Sequence, residues 1–155
     1  MSGFTANAPA VAPEADVIAG SFWPAVKLRP LREAMRLDGS VTTARLRVAV
    51  VAAMLTVGDE LAQWRVEQQA RGYAALADVP SDEVDGSTRH LQLFLRAVQC
   101  AAAVELSERY RSYDATAQGN QRAEDLTPTI DDLRRDQRYA ISDFLGRRRV
   151  TVALI

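Results

Sequence analysis

The feature of this sequence that most constrains its fold is an apolar stripe within residues 42–71, TTARLRVAVVAAMLTVGDELAQWRVEQQAR. The apolar residues recur at steps of three and four, which at about 100° per residue places them on one side of an α-helix. At about 1.5 Å per residue, such a helix is long enough to cross a whole small domain. We therefore expect the remaining helices to pack along it. The stripe comprises Leu46, Val50, Ala53, Met54, Val57, Leu61 and Trp64.

Other signals predict further helices and their ends. Proline stands at the first helical position of two segments, where its missing N–H costs nothing. The last helix begins with Thr127 as N-cap and Pro128 as its first residue, and Gly146 ends it. The second long helix begins at a cap provided by Asp85 or Ser87. The three predicted segments are 30–37, about 87–113 and 127–145.

Composition limits the class of protein. The chain has 155 residues, 48% of them hydrophobic, and it is sized for one domain without a membrane span. A single cysteine, Cys100, and a single histidine, His90, leave zinc or haem chemistry without ligands, so we expect no cofactor. The first twenty or so residues have neither the basic region nor the apolar run of a secretory signal, so we expect the protein to start in the cytoplasm.

The two ends of the chain differ from its middle. Residues 1–21 are rich in alanine, proline and glycine and predict a flexible N-terminal arm, whereas residues 22–146 form the helical domain. Residues 147–155 contain three arginines followed by an apolar, β-prone tail. A lone strand is unstable, so the tail pairs either within the domain or with the sheet edge of another chain. The predicted fold class is all-α, a small helical bundle built on two long helices.

No catalytic motif is present. The glycine-rich phosphate loops, the nucleophile elbow and the zinc-binding helix are all absent, so we do not expect an enzyme. An enzyme built around His90 is the least favoured hypothesis. All but one of the 19 basic residues are arginine, the exception being Lys27. Arginine suits bidentate contacts to carboxylate or phosphate, but the net charge of −1 argues against a dedicated DNA-binding domain.

Four stretches in order resemble one family. Residues 35–46 (MRLDGSVTTARL), 77–86 (ADVPSDEVDG), 106–115 (LSERYRSYDA) and 129–136 (TIDDLRRD) are similar to the head completion protein L of contractile-tailed bacteriophages. The resemblance extends from about Phe22 to Ile155, and the chain ends as that family does, in a basic turn and a short apolar tail.

The resemblance implies a structural connector of the virion head–tail interface. Such a protein forms a ring of about twelve copies beneath the portal after DNA packaging. The ring seals or extends the channel through which the packaged DNA passes, and it docks a neck or tail-terminator protein. The partners implied are the portal protein, adjacent copies of the chain and these downstream proteins. The alternative is a small nucleic-acid-binding regulatory protein that uses the C-terminal arginines.

Two groups of residues are candidates for these contacts. The docking group, for the portal or a neighbouring copy, is Arg147, Arg148, Arg149, Val150, Val152, Leu154 and Ile155. The second group, facing the DNA channel or an adjacent subunit, is Arg134, Arg135 and Arg138.

Overall fold

The structure is a computed structural model, and it describes residues 14–37, 39–110 and 129–148. This part of the chain contains five α-helices and one small hairpin. The helices are α1 (Leu28–Ala34), α2 (Thr43–Glu60), α3 (Ala62–Ala70), α4 (Arg89–Tyr110) and α5 (Ile130–Phe144), and the strands are β1 (Glu83–Val84) and β2 (Ser87–Thr88). The chain is predominantly helical, as predicted, and the hairpin is a departure from an all-α fold.

Helix α4 lies between α2 and α5 and packs against both. Trp23 stacks on Phe94 of α4 with ring centroids 4.7 Å apart, and Phe22 meets Trp23 edge-on at 5.0 Å. These aromatic rings and the inner face of α2 make one continuous core. The stripe predicted from the sequence lies in that core: Leu46, Val50, Ala53, Met54, Val57 and Leu61 are buried, and Trp64 packs against them, partly buried.

The long helix predicted for residues 42–71 is divided at Leu61, which has φ −99° and ψ 5°. The Leu61 N–H still donates to the carbonyl of Val57 at 3.1 Å, and the Arg65 N–H donates to the carbonyl of Leu61 at 2.9 Å. Helix α3 therefore continues from α2 after a local break. Gly58 lies inside α2, three residues before this break. The nearest atom to a Cβ added there is Trp23 Nε1 at 3.6 Å, an ordinary contact.

Three predicted helix starts are wrong by a few residues. Helix α1 begins at Leu28, so Pro30 is its third residue, where a missing N–H is still harmless because the first four N–H groups lack helical partners. Helix α4 is capped by Thr88, whose Oγ1 accepts from the N–H of Leu91 at 3.3 Å. Helix α5 is capped by Thr129 and begins at Ile130.

A turn, a capping box and a left-handed residue explain why these helices begin or end at residues other than the predicted ones. Asp85 and Ser87, the predicted caps of α4, belong to the hairpin, in which Asp85 and Gly86 have φ of 51° and 68° and form the turn. Helix α5 begins after Thr129 because Thr129 forms a capping box with Asp132, and the predicted cap and first residue, Thr127 and Pro128, lie outside the described residues. Helix α1 ends at Ala34, not at residue 37, because Arg36 adopts a left-handed φ of 53°. The predicted end of α4 near Tyr113 lies outside the described residues.

The second half of the predicted arm is attached to the domain. Val17 is buried and pairs with Val26 through two backbone hydrogen bonds of 2.9 and 2.8 Å. Glu14 Oε1 accepts from Arg32 Nη2 and from Thr43 Oγ1, both at 2.7 Å. Residues 14–21 are therefore held against the helical domain, unlike the flexible arm that was predicted. Residues 1–13 lie outside the described residues.

Candidate assembly surfaces

The predicted docking segment begins directly after α5. Gly146 has a φ of +66°, the left-handed conformation that ends a helix, and the Arg147 N–H donates to the carbonyl of Ser142 at 2.8 Å. Arg147 and Arg148 are exposed. The other predicted docking residues, Arg149, Val150, Val152, Leu154 and Ile155, lie outside the described residues. The structure therefore describes only the first two residues of this segment.

The three arginines predicted as a channel or subunit surface lie on α5. Arg134 forms an ion pair with Glu108 of α4, and its Nη1 lies 3.7 Å from Asp131. This cross-helix pair fixes the end of α4 against the start of α5. Arg138 is exposed and forms no ion pair with the part of the chain that the structure describes. Its guanidinium is therefore available to a partner.

Arg135 is held within α5 by two carboxylates. Its Nη1 donates to Asp132 at 2.7 Å and its Nη2 to Asp136 at 3.3 Å. Asp132 also completes the cap, since it accepts from the hydroxyl and the N–H of Thr129, and these hydrogen bonds lower the pKa of the Asp132 carboxyl. The start of α5 is thus a network of alternating charges, not a basic patch. Such a surface suits contact with a protein better than contact with phosphate.

The lone histidine lies in an aromatic cluster. The imidazole of His90 packs against Trp64 at 5.1 Å and Phe144 at 4.9 Å between ring centroids. Burial lowers the pKa of His90, and its Nδ1 is buried with no hydrogen-bond partner among the described residues. These contacts connect α3, α4 and α5, which is a packing role. They give no support to the hypothesis of an enzyme built around His90.

Helix α2 has an exposed apolar surface that was not among the predicted sites. Ala44, Val48, Val51 and Leu55 lie within about 60° of one another on a helical projection, on the side opposite to the core. We call these four residues the outer stripe. Val48 is 56% exposed, Val51 41% and Leu55 63%. Helix α2 is therefore apolar on two faces, and only one of them is covered by the described residues.

A shallow groove borders the outer stripe at the start of α2. Its volume is about 290 Å³, and it lies between α2 and the end of α4. Arg45 and Arg109 supply its charged rim. The residues that line it are Ala44, Arg45, Val48, Ala49, Leu106 and Arg109. The apolar surface of α2 therefore extends sideways into a groove with two cations.

Comparison with known proteins places the chain in a family. Residues 17–155 match the family model described as "Phage head completion protein (GPL)". The chain belongs to this family. It is also 40% identical over 134 residues to the "Head completion/stabilization protein" of Escherichia phage P2, an alignment that covers 86% of this chain and 79% of the relative. No solved structure matches the chain significantly.

The family match confirms the resemblance based on the four sequence stretches. It spans the described helices from α1 to α5 and continues through residue 155, so it includes all the surfaces described above. This is a phage head completion protein, and head completion is a structural role in the virion head. No described helix has the length and apolar character needed to cross a membrane.

Proposed function

We propose that this head completion protein is the connector between the phage head and its tail. Copies of it form a ring of about twelve beneath the portal after DNA packaging, where the ring seals or extends the DNA channel. The ring then docks a neck or tail-terminator protein. The observation that carries the proposal is the 40% identity, over 86% of the chain, to a phage protein named for head completion and stabilization.

The proposed ring contacts use the end of the chain. Residues 147–155 follow Gly146 in the sequence, and in the proposal they grip the portal or the next copy. An unpaired apolar segment that docks on a different surface of its neighbour makes a head-to-tail contact, which is the kind that closes into a ring. The exposed Arg147 and Arg148 then place positive charge beside the docked segment.

Helix α5 has a second part in the proposal. Arg134 and Arg135 already pair with carboxylates, so we assign them to the architecture of a subunit interface. Arg138 carries the remaining positive charge of the group, and we place it toward the channel or the adjacent copy. This pairing weakens the alternative of a nucleic-acid-binding regulator, because an arginine neutralised by a carboxylate releases fewer counterions on binding phosphate.

The test is removal of residues 147–155 from the full chain. We expect the shortened protein to keep the circular-dichroism spectrum and thermal unfolding of the full chain, because the segment follows the end of α5. We also expect it to lose cosedimentation with purified portal rings. A second variant, with Val150, Val152, Leu154 and Ile155 all changed to serine, keeps the length and the arginines. It should fail in the same way.

The matched control replaces Arg29 and Glu33, an exposed ion pair on α1, with glutamine. This variant should bind portal rings as the full chain does. Normal decoration of portals by the shortened protein would contradict the assignment of residues 147–155. Binding of the intact chain to DNA, but not to portals, with an affinity that falls steeply as salt increases, would favour the regulator instead.

A further inference from the structure

The extended segment that precedes α1 has one open edge. Val26 exchanges two backbone hydrogen bonds with Val17, and its side chain is buried. In an extended chain the N–H and C=O groups of successive residues point to opposite edges, so those of Ala25 and Lys27 point away from Val17. The Lys27 carbonyl accepts from the N–H of Leu31. The N–H and carbonyl of Ala25 and the N–H of Lys27 have no hydrogen-bond partner among the described residues, so they are available to another strand.

An apolar groove between α1 and α4 adjoins this segment. Its volume is about 540 Å³, and we call it the α1–α4 groove. Residues 24–27 line it themselves, together with Leu31 of α1 and Leu91 and Leu95 of α4. The two α4 leucines are only half-buried, so part of their apolar surface is left for an occupant. An extended peptide suits such a place, because it forms hydrogen bonds with an open edge while its alternate side chains enter the groove.

The small hairpin places negative charge beside the α1–α4 groove. Gln92, which also lines the groove, donates through Nε2 to the carbonyl of Val84 in β1 at 3.3 Å. Three exposed carboxylates lie next to Val84 in the chain: Asp82, Glu83 and Asp85. None of the three forms an ion pair with the part of the chain that the structure describes. The groove therefore combines an apolar floor with an acidic border.

One segment of the sequence has the two matching parts. Residues 147–149 are three arginines, and residues 150–155, VTVALI, are apolar and β-prone. We propose that residues 150–155 of one copy add as a strand to the open edge of an adjacent copy and occupy its α1–α4 groove, while residues 147–149 pair with its acidic hairpin. This assignment rests on the proposed ring, since it names the surface that receives the docking segment. The contact joins two different surfaces and is therefore head-to-tail.

The test measures binding of a synthetic peptide with the sequence of residues 147–155. Its receptor is the full chain carrying the four serine changes described above, whose own tail no longer competes for the groove. We expect fluorescence anisotropy to give a dissociation constant of about 10–100 μM. We also expect amide hydrogen exchange of Ala25 and Lys27 to slow by about tenfold or more in the complex, because the added strand takes up these N–H groups.

Substitutions in this receptor separate the two parts of the site. Leu95→Glu places a charge on the apolar floor and should weaken peptide binding about tenfold or more. Ala34→Arg fills the groove from an exposed position at the end of α1, so it should weaken binding without changing thermal unfolding. The triple variant Asp82→Asn/Glu83→Gln/Asp85→Asn should weaken binding about threefold to tenfold and reduce its salt dependence. The matched control, Glu33→Gln on the exposed surface of α1, should leave binding unchanged.

Several results would overturn the proposal. One is a dissociation constant above about 1 mM, and another is unaltered exchange at Ala25 and Lys27 in the complex. Unchanged binding in Ala34→Arg is a third. A fourth is an intact chain that stays monomeric up to about 300 μM and excludes the peptide, because each groove then holds its own tail. Normal portal binding by the intact chain without peptide binding removes only the groove assignment, whereas peptide binding without portal binding removes only the proposed connector.

Discussion

Replacing Glu14 with glutamine should loosen the attachment of the N-terminal segment to the helical domain. The Glu14 side chain is only 6% exposed, and its Oε1 accepts from Arg32 Nε and Nη2 at 3.1 and 2.7 Å and from Thr43 Oγ1 at 2.7 Å. Arg32 Nη1 also donates to the carbonyl of Val41 at 2.6 Å. One carboxylate therefore connects residue 14 to α1 and to the start of α2.

The expected loss follows from these contacts. A hydrogen bond to a charged group contributes about 1.5–3 kcal/mol, and removing one partner of a fully buried pair costs about 3–5 kcal/mol. Arg32 is 20% exposed, so water partly compensates its charge, and glutamine keeps one acceptor oxygen. We expect Glu14→Gln to lower the free energy of unfolding by about 2 kcal/mol. For a chain of this size that is a shift of about 4–8 °C in melting temperature.

The same pair predicts a pH dependence with a definite sign. The hydrogen bonds from Arg32 and then Thr43 lower the pKa of Glu14 below its ordinary value of about 4.3. A carboxyl with a lowered pKa stabilises the folded state above the unfolded pKa, and this contribution is lost as the pH falls through the folded pKa. The difference between the original protein and Glu14→Gln should therefore be constant from about pH 7 to 5 and disappear at lower pH.

Urea unfolding at several pH values measures the effect. The matched control is Glu33→Gln, because Glu33 pairs with Arg29 on the exposed side of α1 and should cost less than about 0.5 kcal/mol. Equal losses in the two variants would refute the argument, since it depends on the burial of Glu14. A difference that does not shrink as the pH falls below about 4 would refute it as well, because the carboxyl of the unfolded chain then takes up a proton.

Three other changes have defined outcomes. Gly58→Ala should raise the free energy of unfolding by up to about 1 kcal/mol, because the added Cβ meets only Trp23 Nε1 at 3.6 Å; a loss of stability in urea would contradict this. Thr129→Ala should cost about 1 kcal/mol through loss of the α5 cap, whereas Asp131→Asn, outside the capping box, should cost less than half of that. His90 should titrate below about 6.5 by NMR, so stability should fall as the pH drops below that value in the original chain but not in His90→Phe.

Periodicity predicted the core correctly where contacts are local. The inner positions of α2 follow from three- and four-residue spacing, and the end of α5 at Gly146 follows from the left-handed φ of glycine after a helix. The break at Leu61 carries no such signal, since no proline or glycine stands there. The spacing of apolar residues therefore does not predict it.

The missed features are those that join distant parts of the chain. The pairing of Val17 with Val26 and the ion pair of Glu14 with Arg32 connect segments that composition had assigned to an arm and a helix. No spacing rule links residues 14 and 32. The hairpin had a recognisable turn, Asp85-Gly86, but each strand is only two residues long, so no alternation of polar and apolar residues could mark it.

The outer stripe of α2 has the same three- and four-residue spacing as the buried stripe. Val48, Val51 and Leu55 lie on the opposite side of the helix, so the spacing alone does not tell which stripe is buried. A helix that is apolar on both faces has a weak amphipathic signal, so the strength of the pattern does not distinguish a core helix from one that has two partners.

The order of acidic and basic residues along a helix gives information that the spacing of apolar residues does not. A helix that only had to fold would gain stability from acidic residues in its first turn and basic residues in its last, as α5 does with Asp131 and Asp132 at its start. Helix α2 has the opposite order, with Arg45 early and Asp59 late. Both helices belong to the same small domain, so a general bias in composition does not explain the difference. Because the reversed order is unfavourable for α2 alone, the stability of this helix depends on the burial of its inner face, on which Leu46, Val50 and Val57 are completely buried.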